Sequence, residues 1–332
     1  MVATTDRIGT VILTGFLGSG KTTFLNRLLS SPYGRTAAVI VNEFGEVGLD
    51  QALIETFDQN TVMLDSGCIC CTVRDSLSVT LEELADKRSK GIVPPFDRLI
   101  IETTGLADPG PILRLLISDP FVGGRYVVEA VAATVDAVHG RTTLDRQPES
   151  VRQVALADVI LITKTDIADS EEPARLRERL VNINSVATII EAGHGDEFQI
   201  AAFSAAAPGG IDRLIETACA DPHDHSADHV HGHLDDVRTF TIRSGAISWA
   251  QYAEIVSKLQ AIGNDDFLRL KAILDIAGHH RPVALHGVQG LIHSPGIAAT
   301  WPSGERESIF VVIARGDIGE TVRAMIEDVL KA

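Results

Sequence analysis

The segment that most constrains this chain is a glycine-rich loop near its N-terminus, Gly15–Thr23, with the sequence GFLGSGKTT. It follows the run Thr10–Thr14, which predicts a buried strand, and precedes Phe24–Leu29, whose apolar residues recur at helical spacing. Strand, loop and helix in this order are the context in which the pattern G-x-x-x-x-G-K-[ST] forms a phosphate-binding P-loop. We therefore predict an α/β fold that binds a nucleotide at this loop.

The residues of the P-loop have separate predicted roles. Lys21 is expected to contact the β- and γ-phosphates and to act in catalysis, while the Thr22 hydroxyl binds Mg²⁺. The backbone amides of the glycines turn inward around the phosphate oxygens. The other predicted nucleotide-binding residues of the loop are Gly15, Gly18, Ser19, Gly20 and Thr23.

Length and charge exclude several classes of protein. At 332 residues the chain is long enough for two domains. Its net charge of −16, from 29 basic and 45 acidic residues, argues against nucleic acid or an anionic membrane as its partner. No apolar run approaches the length of a membrane span, and the N-terminus lacks the layout of a signal peptide. We therefore expect a cytoplasmic protein.

A second predicted strand, Thr36–Val41, ends in a carboxylate-rich segment at residues 42–50. GTPases place their first switch, which senses the γ-phosphate, in a loop at this position after the P-loop. The candidate switch residues are Glu43, Glu46 and Asp50. An ordinary solvated acidic loop is the alternative interpretation.

Three of the four cysteines, Cys68, Cys70 and Cys71, follow the third predicted strand, Thr61–Leu64. A disulfide framework would spread its cysteines along the chain, so this cluster favours a thiolate site for Zn²⁺, Co²⁺ or Cu⁺. So tight a run cannot complete a tetrahedral cage, and at least one ligand must come from the acidic segment, a histidine, water or a partner. Such a site suits a protein that gives its metal away. Buried thiols that pack as small apolar groups are the alternative.

The fourth predicted strand, Arg98–Ile101, is followed by the tetrapeptide Glu102-Thr103-Thr104-Gly105. An acidic residue at the carboxyl end of an apolar strand is the Walker B arrangement, in which the carboxylate directs Mg²⁺ or its waters. Glu102 is therefore a predicted magnesium and catalytic residue. The loop 103–110 occupies the position of a second switch.

A later apolar strand, Ala157–Ile162, is followed by Thr163-Lys164-Thr165-Asp166. The Asp166 carboxylate can accept two hydrogen bonds from guanine, one from N1–H and one from the 2-amino group. Adenine lacks both donors, and the aliphatic stem of Lys164 can pack on the base. At the end of a strand in this order, the tetrapeptide predicts GTP rather than ATP as the ligand.

Residues 221–236 lack an apolar period and are rich in His and Asp. They predict a flexible linker that binds divalent metal, with a solvated linker as the alternative. We expect a P-loop domain at 1–220, with a mostly parallel sheet flanked by helices, and a smaller α+β domain at 237–332, with helices on one face of an antiparallel sheet. The candidate linker ligands are His223, His225, His229, His231 and His233.

Together these motifs resemble the CobW family of P-loop GTPases, within the metallochaperone class that includes the nickel-insertion GTPases of urease and hydrogenase. The resemblance spans essentially the whole chain, and the Cys-x-Cys-Cys motif is its most specific part. Thr163 departs from the Asn of many GTPases, and Ala272 stands where a Gly often follows Lys. The matching segments are 15–23, 42–50, 68–71, 102–105, 163–166, 268–271 and 285–290.

The resemblance implies a Mg²⁺-dependent GTPase that binds Zn²⁺, or alternatively Co²⁺, at the cysteine motif. GTP binding and hydrolysis to GDP would be coupled to transfer of the metal to a client metalloprotein. The client is not identified by the sequence, and a homodimer is left open. The alternatives are a metal-storage or metal-sensing module with GTP as a structural ligand, and cobalt delivery for cobalamin synthesis or a nitrile hydratase.

Overall fold

The computed structural model describes residues 7–41, 63–65, 73–192, 203, 237–263, 265–292, 295–297, 301 and 306–332. The chain packs into two compact units that are not continuous in sequence. The first contains the residues up to 143 together with 157–176 and 188–208. The second contains 144–156, 177–187 and the residues from 209 onward. Among the helices described, none is long and apolar enough to cross a membrane.

The first unit is built on a seven-stranded sheet in which every neighbouring pair of strands is parallel. This confirms the predicted parallel sheet. In chain order the strands are β1 (Ile8–Gly15), β2 (Ala37–Val41), β3 (Met63–Asp65), β4 (Arg98–Glu102), β5 (Tyr126–Asp136), β6 (Val159–Thr163) and β7 (Thr188–Ala192). Their order across the sheet is β3-β2-β4-β1-β5-β6-β7, so the strand that enters the P-loop lies at the centre.

Helices follow the strands along the chain. In chain order they are α1 (Lys21–Ser30), α2 (Val73–Ser89), α3 (Gly110–Ser118), α4 (Pro120–Arg125), α5 (Gly140–Arg146), α6 (Pro148–Leu156) and α7 (Glu172–Ile183). Phe24 and Leu28 of α1 pack against Val11 and Leu13 on one face of the sheet. Ile12 points to the opposite face and is equally buried, so both faces are covered.

The segment between β5 and β6 forms two helices, α5 and α6, rather than one. Pro148 is the first residue of α6, and its ring disfavours helical geometry at the residue before it. The chain therefore breaks at Gln147 and begins a new helix.

The second unit contains an antiparallel sheet, as predicted. Its strands are β8 (Val237–Ser244), β9 (Phe267–Leu274), β10 (Val283–Val288), β11 (Leu291–Ile292), β12 (Gly296–Ile297) and β13 (Ser308–Arg315). They lie in the order β11-β10-β9-β13-β8, with β12 paired to β10. The helices α8 (Trp249–Ile262) and α9 (Ile318–Lys331) pack on one face, where Leu259 and Ile326 join the strand core.

The other face of this sheet is also covered, which the sequence pattern did not predict. Every residue of β9 is buried, and α6 contacts this strand. The Arg269 guanidinium donates a hydrogen bond to the Leu156 carbonyl at the end of α6. Asn184 Nδ2 donates to the Val154 carbonyl in the same helical turn at 2.8 Å. These two side chains satisfy carbonyl groups that a helix terminus otherwise leaves unpaired.

Candidate functional site

The P-loop adopts the strand–loop–helix geometry that its sequence predicts, between β1 and α1. Gly20 immediately precedes α1 with φ +93°, a conformation that residues with a Cβ rarely adopt. Gly15 has φ +142°, and a Cβ there would lie 2.3 Å from Thr134 Oγ1. Both positions therefore require glycine. Ser19 is buried beneath the loop, whereas Gly18 and Thr23 are exposed.

Lys21, the first residue of α1, directs its side chain back into the loop. Its ammonium group donates hydrogen bonds to the Gly15 carbonyl at 2.8 Å and the Phe16 carbonyl at 3.2 Å. The residue is buried, so the positive charge lies inside the loop rather than in bulk water. A charge in this place is suited to phosphate oxygens.

The two predicted magnesium ligands, Thr22 at the start of α1 and Glu102 at the end of β4, lie within hydrogen-bond distance of each other. Glu102 closes β4 and pairs with Leu13 of β1 across the ladder. The Thr22 hydroxyl donates a hydrogen bond to Glu102 Oε1 at 3.0 Å. A hydroxyl and a carboxylate at this distance form a hard-oxygen pair of the kind that Mg²⁺ binds together with phosphate oxygens. The donor set therefore fits the predicted ion.

Buried hydroxyl groups connect the strand ends beneath the P-loop. The Ser19 and Thr134 hydroxyls are 2.6 Å apart, and the Thr103 hydroxyl donates to Thr14 Oγ1 at 2.9 Å. All four residues are buried. Thr14, Thr103 and Thr134 were not predicted from the sequence as site residues. The signal that was available is a threonine at or beside the carboxyl end of an otherwise apolar strand.

The predicted base-binding segment is fixed to the P-loop by its threonine. Thr163 Oγ1 donates to the Ser19 carbonyl at 2.7 Å, so the departure from Asn at this position keeps a side-chain link to the loop. Lys164, with φ +57°, forms an ion pair with Asp136, the last residue of β5. Asp166 is exposed beyond it. Asp136 is a further site residue that the sequence analysis missed, and it holds the side chain predicted to pack on the base.

The start of the predicted second switch lies directly against the P-loop. A Cβ on Gly105 would lie 2.6 Å from the Leu17 backbone nitrogen and 2.7 Å from the Leu17 Cα. Real Cβ atoms do not approach backbone so closely, and neither partner here is a flexible side chain. The two segments can therefore touch only because residue 105 has no side chain.

We expect Gly105→Ala to weaken nucleotide binding about tenfold or more, because the added methyl group must displace the P-loop backbone. Calorimetric titration with GTP and GDP measures the change. Gly124→Ala is the matched control, since Gly124 is exposed in α4 and a Cβ there meets no atom within 4 Å. Equal affinities for wild type and Gly105→Ala would show that the contact with Leu17 does not shape the nucleotide site.

The remaining predicted site residues lie outside the described part of the chain. Within that part, no group of three or more His, Cys, Asp and Glu side chains is arranged to hold a metal ion. The switch, thiolate and linker sites therefore stay predictions. The residues concerned are Glu43, Glu46, Asp50, Cys68, Cys70, Cys71, His223, His225, His229, His231 and His233.

The chain resembles characterised proteins along its whole length. It is 34% identical over 318 residues to the zinc chaperone YjiA of Escherichia coli, covering 96% of this chain and 97% of that protein. It is 29% identical over 356 residues to the zinc chaperone CobW of a Sinorhizobium species, covering 98% of each. The crystal structure of Zn(II)-bound YjiA GTPase from E. coli superimposes with a TM-score of 0.73 at 32% identity, covering 98% of this chain and 99% of that one.

Two family models match the chain, each over a different part. The model of the CobW/HypB/UreG nucleotide-binding domain matches residues 9–191. The model of the cobalamin synthesis protein CobW C-terminal domain matches residues 237–330. The first match contains the P-loop, Glu102 and the predicted base-binding segment, and the second contains the antiparallel sheet. The chain therefore belongs to the CobW family of P-loop GTPases.

Proposed function

We propose that this protein is a Mg²⁺-dependent GTPase that carries Zn²⁺ at its cysteine motif and couples GTP binding and hydrolysis to delivery of the metal to a client protein. One observation supports this proposal most directly. Asp65, Val41, Glu102 and Leu13 are successive backbone partners across β3, β2, β4 and β1. This row lies at, or within two residues of, the points where the chain leaves the sheet for the cysteine motif, the first switch, the Walker B segment and the P-loop.

The few residues between the strand ends and the two predicted sites, the cysteine motif and the first switch, limit how far apart these sites can be. Neighbouring strands lie about 5 Å apart, so Asp65 lies roughly 15 Å from Leu13 and one strand spacing from Val41. Cys68 is three residues beyond Asp65, within about 10 Å of it, and Glu43 is two residues beyond Val41, within about 7 Å. A thiolate and a switch carboxylate can therefore converge on one metal ion. Such a shared ligand would connect the metal to the nucleotide.

The geometry also supports the hydrolytic half of the proposal. Lys21 brings a buried positive charge to the position of the β- and γ-phosphates, and such fixed charges stabilise the transferring phosphoryl group. Thr22 and Glu102 would hold Mg²⁺, which when bound neutralises charge on the phosphates. The P-loop amides orient the nucleotide for in-line attack by water. GTP and GDP are thus the proposed substrate and product.

The choice of zinc rests on the relatives. YjiA and the Sinorhizobium CobW are named zinc chaperones, and YjiA has been crystallised with Zn(II). A fission-yeast relative, 33% identical over 200 residues, is named a zinc-regulated GTPase metalloprotein activator. That match covers 58% of this chain and 47% of the yeast protein. Thiolate ligands suit Zn²⁺, and a site that lacks a closed cage can release it.

We expect the Zn²⁺ affinity to differ between the Mg²⁺·GTP and Mg²⁺·GDP states by about 1–3 kcal/mol, or roughly 5- to 150-fold, since a shared ligand makes the two binding energies interdependent. Cys70→Ala or Cys71→Ala should remove the difference and leave GTP binding nearly intact. A competitive chelator titration in both nucleotide states measures these affinities. Cys219→Ala is the matched control, a cysteine remote in sequence from the motif. Identical Zn²⁺ affinities in the two wild-type states would contradict coupled delivery.

A further inference from the structure

Two adjacent threonines at the end of β4 differ in how their hydroxyl groups are used. The Thr103 hydroxyl is buried and donates to Thr14 Oγ1 at 2.9 Å. The Thr104 hydroxyl oxygen is also buried, yet no described residue forms a hydrogen bond with it. An unsatisfied buried hydroxyl destabilises a folded protein, and such groups concentrate where a ligand or an ordered water completes them. The Thr104 hydroxyl is therefore a candidate for binding a ligand or a water molecule.

The backbone of Thr104 is held in place on both sides. Its carbonyl accepts a hydrogen bond from the Ala107 amide at 3.1 Å. The Thr103 hydroxyl oxygen also lies 3.3 Å from this carbonyl, and its single proton is shared between the carbonyl and Thr14 Oγ1. The Thr103 amide donates to the Leu13 carbonyl at 2.9 Å, which ties the preceding residue to the strand that enters the P-loop. The hydroxyl group of Thr104 is consequently presented from a fixed main chain.

The neighbours of Thr104 place it beside the phosphate site. Two residues before it, Glu102 accepts the hydrogen bond of Thr22, the predicted magnesium ligand. One residue after it, Gly105 packs directly on the P-loop backbone at Leu17. Thr104 therefore lies in the short segment that joins these two contacts, beside the loop predicted to hold the γ-phosphate of a bound nucleotide.

We propose that the Thr104 hydroxyl accepts a hydrogen bond from the water that attacks the γ-phosphate. This inference rests on the proposed GTPase function. In the reaction, the water oxygen forms a bond to the γ-phosphorus while the bond from that phosphorus to the β–γ bridging oxygen breaks. GDP leaves, one water proton stays on the inorganic phosphate and the other passes to solvent. Thr104 orients the water and takes no proton.

The test compares Thr104→Val, Thr104→Ser and Thr103→Val in the full-length protein. Thr104→Val removes only the hydroxyl and keeps the branched shape, so we expect the single-turnover rate of GTP hydrolysis to fall roughly ten- to a hundredfold. GTP affinity should change less than threefold, and Thr104→Ser should retain at least a third of the rate. Single-turnover measurement separates chemistry from product release.

Thermal unfolding of the nucleotide-free protein gives a second, independent readout. Thr104→Val should leave the melting temperature unchanged or raise it, because no hydrogen bond within the described chain is lost. Thr103→Val should lower it, because Thr14 Oγ1 loses its donor. Thr10→Val is the control for both readouts, since Thr10 is buried in β1 and its hydroxyl bonds only weakly, at 3.4 Å, to Ile8 within the strand.

The outcomes separate this inference from the proposed function. A wild-type protein that does not hydrolyse GTP would contradict the proposed function itself. If the wild type hydrolyses GTP and Thr104→Val retains its rate, the assignment of Thr104 to the attacking water is wrong. A loss confined to GTP affinity would also overturn it, because that pattern assigns the hydroxyl to the ground-state phosphate. Failure of Thr104→Ser to restore the rate would point to shape rather than hydrogen bonding.

Discussion

Replacement of Lys21 by alanine is expected to lower the rate of GTP hydrolysis by about 100-fold or more, the cost of removing one preorganised charge from a phosphoryl-transfer site. The side chain is buried in the loop, and its ammonium group donates to the carbonyls of Gly15 and Phe16. Phosphate oxygens are better hydrogen-bond acceptors than these carbonyls. The Lys21 ammonium group can therefore bind the phosphates of a nucleotide with little rearrangement of its side chain. Steady-state phosphate release under saturating Mg²⁺ and GTP measures the effect.

Lys87→Ala is the control for this prediction. Lys87 is an exposed lysine of α2 that pairs with Glu83 one helical turn away, and its removal changes the charge by the same amount. It should keep wild-type turnover. The melting temperature of each nucleotide-free variant separates loss of catalysis from loss of fold. A Lys21→Ala protein that is folded and hydrolyses GTP within threefold of the wild-type rate would refute the role of Lys21.

Asp166→Asn is expected to weaken GTP binding by about 3 kcal/mol, roughly 100-fold, because the hydrogen bond from the 2-amino group is lost and the one from N1–H no longer has a charged acceptor. The same change should improve binding of xanthosine triphosphate, whose base offers an acceptor where guanine offers the 2-amino donor. The structure supports this site through the segment before it. Thr163 fixes the segment to the Ser19 carbonyl, and Asp136 holds Lys164. Calorimetry with GTP, ATP and xanthosine triphosphate measures all three affinities.

Asp169→Asn provides a matched control, since Asp169 is an exposed acid three residues further along the chain. It should leave the preference for guanine unchanged. Equal affinity of the wild-type protein for GTP and ATP would exclude base recognition by Asp166. An unchanged GTP affinity in Asp166→Asn would assign the preference to another group.

The strands, loops and helices around the site could be predicted because the signal for each one lies in residues that are adjacent in the sequence. The strands β1, β4 and β6 are short apolar runs rich in β-branched residues. Each is followed by a polar motif that can be recognised from a few adjacent residues. Lys21 and Glu102 were identified in this way. Their predicted roles concern contacts with a nucleotide and Mg²⁺, and those roles stay predictions that the experiments above address.

The contacts between the elements could not be predicted, because they join residues far apart in the chain. Lys164 and Asp136 are separated by 28 positions, and Ser19 and Thr134 by 115. A single sequence carries no signal for such pairs, and a buried threonine has the same β propensity as a valine. The order of the strands, which makes β5 the neighbour of both β1 and β6, is what brings these side chains together.

The capping of α6 by Arg269 and Asn184 has a consequence for how such proteins can evolve. Segments 144–156 and 177–187 precede the histidine-rich linker in sequence but share a compact unit with the C-terminal sheet. Recombination between homologues at the linker would therefore separate α6 from the strand that was selected to pack on it. An exchanged C-terminal half must bring both an arginine that reaches the Leu156 carbonyl and a matching apolar surface. The two halves are thus constrained to diverge together.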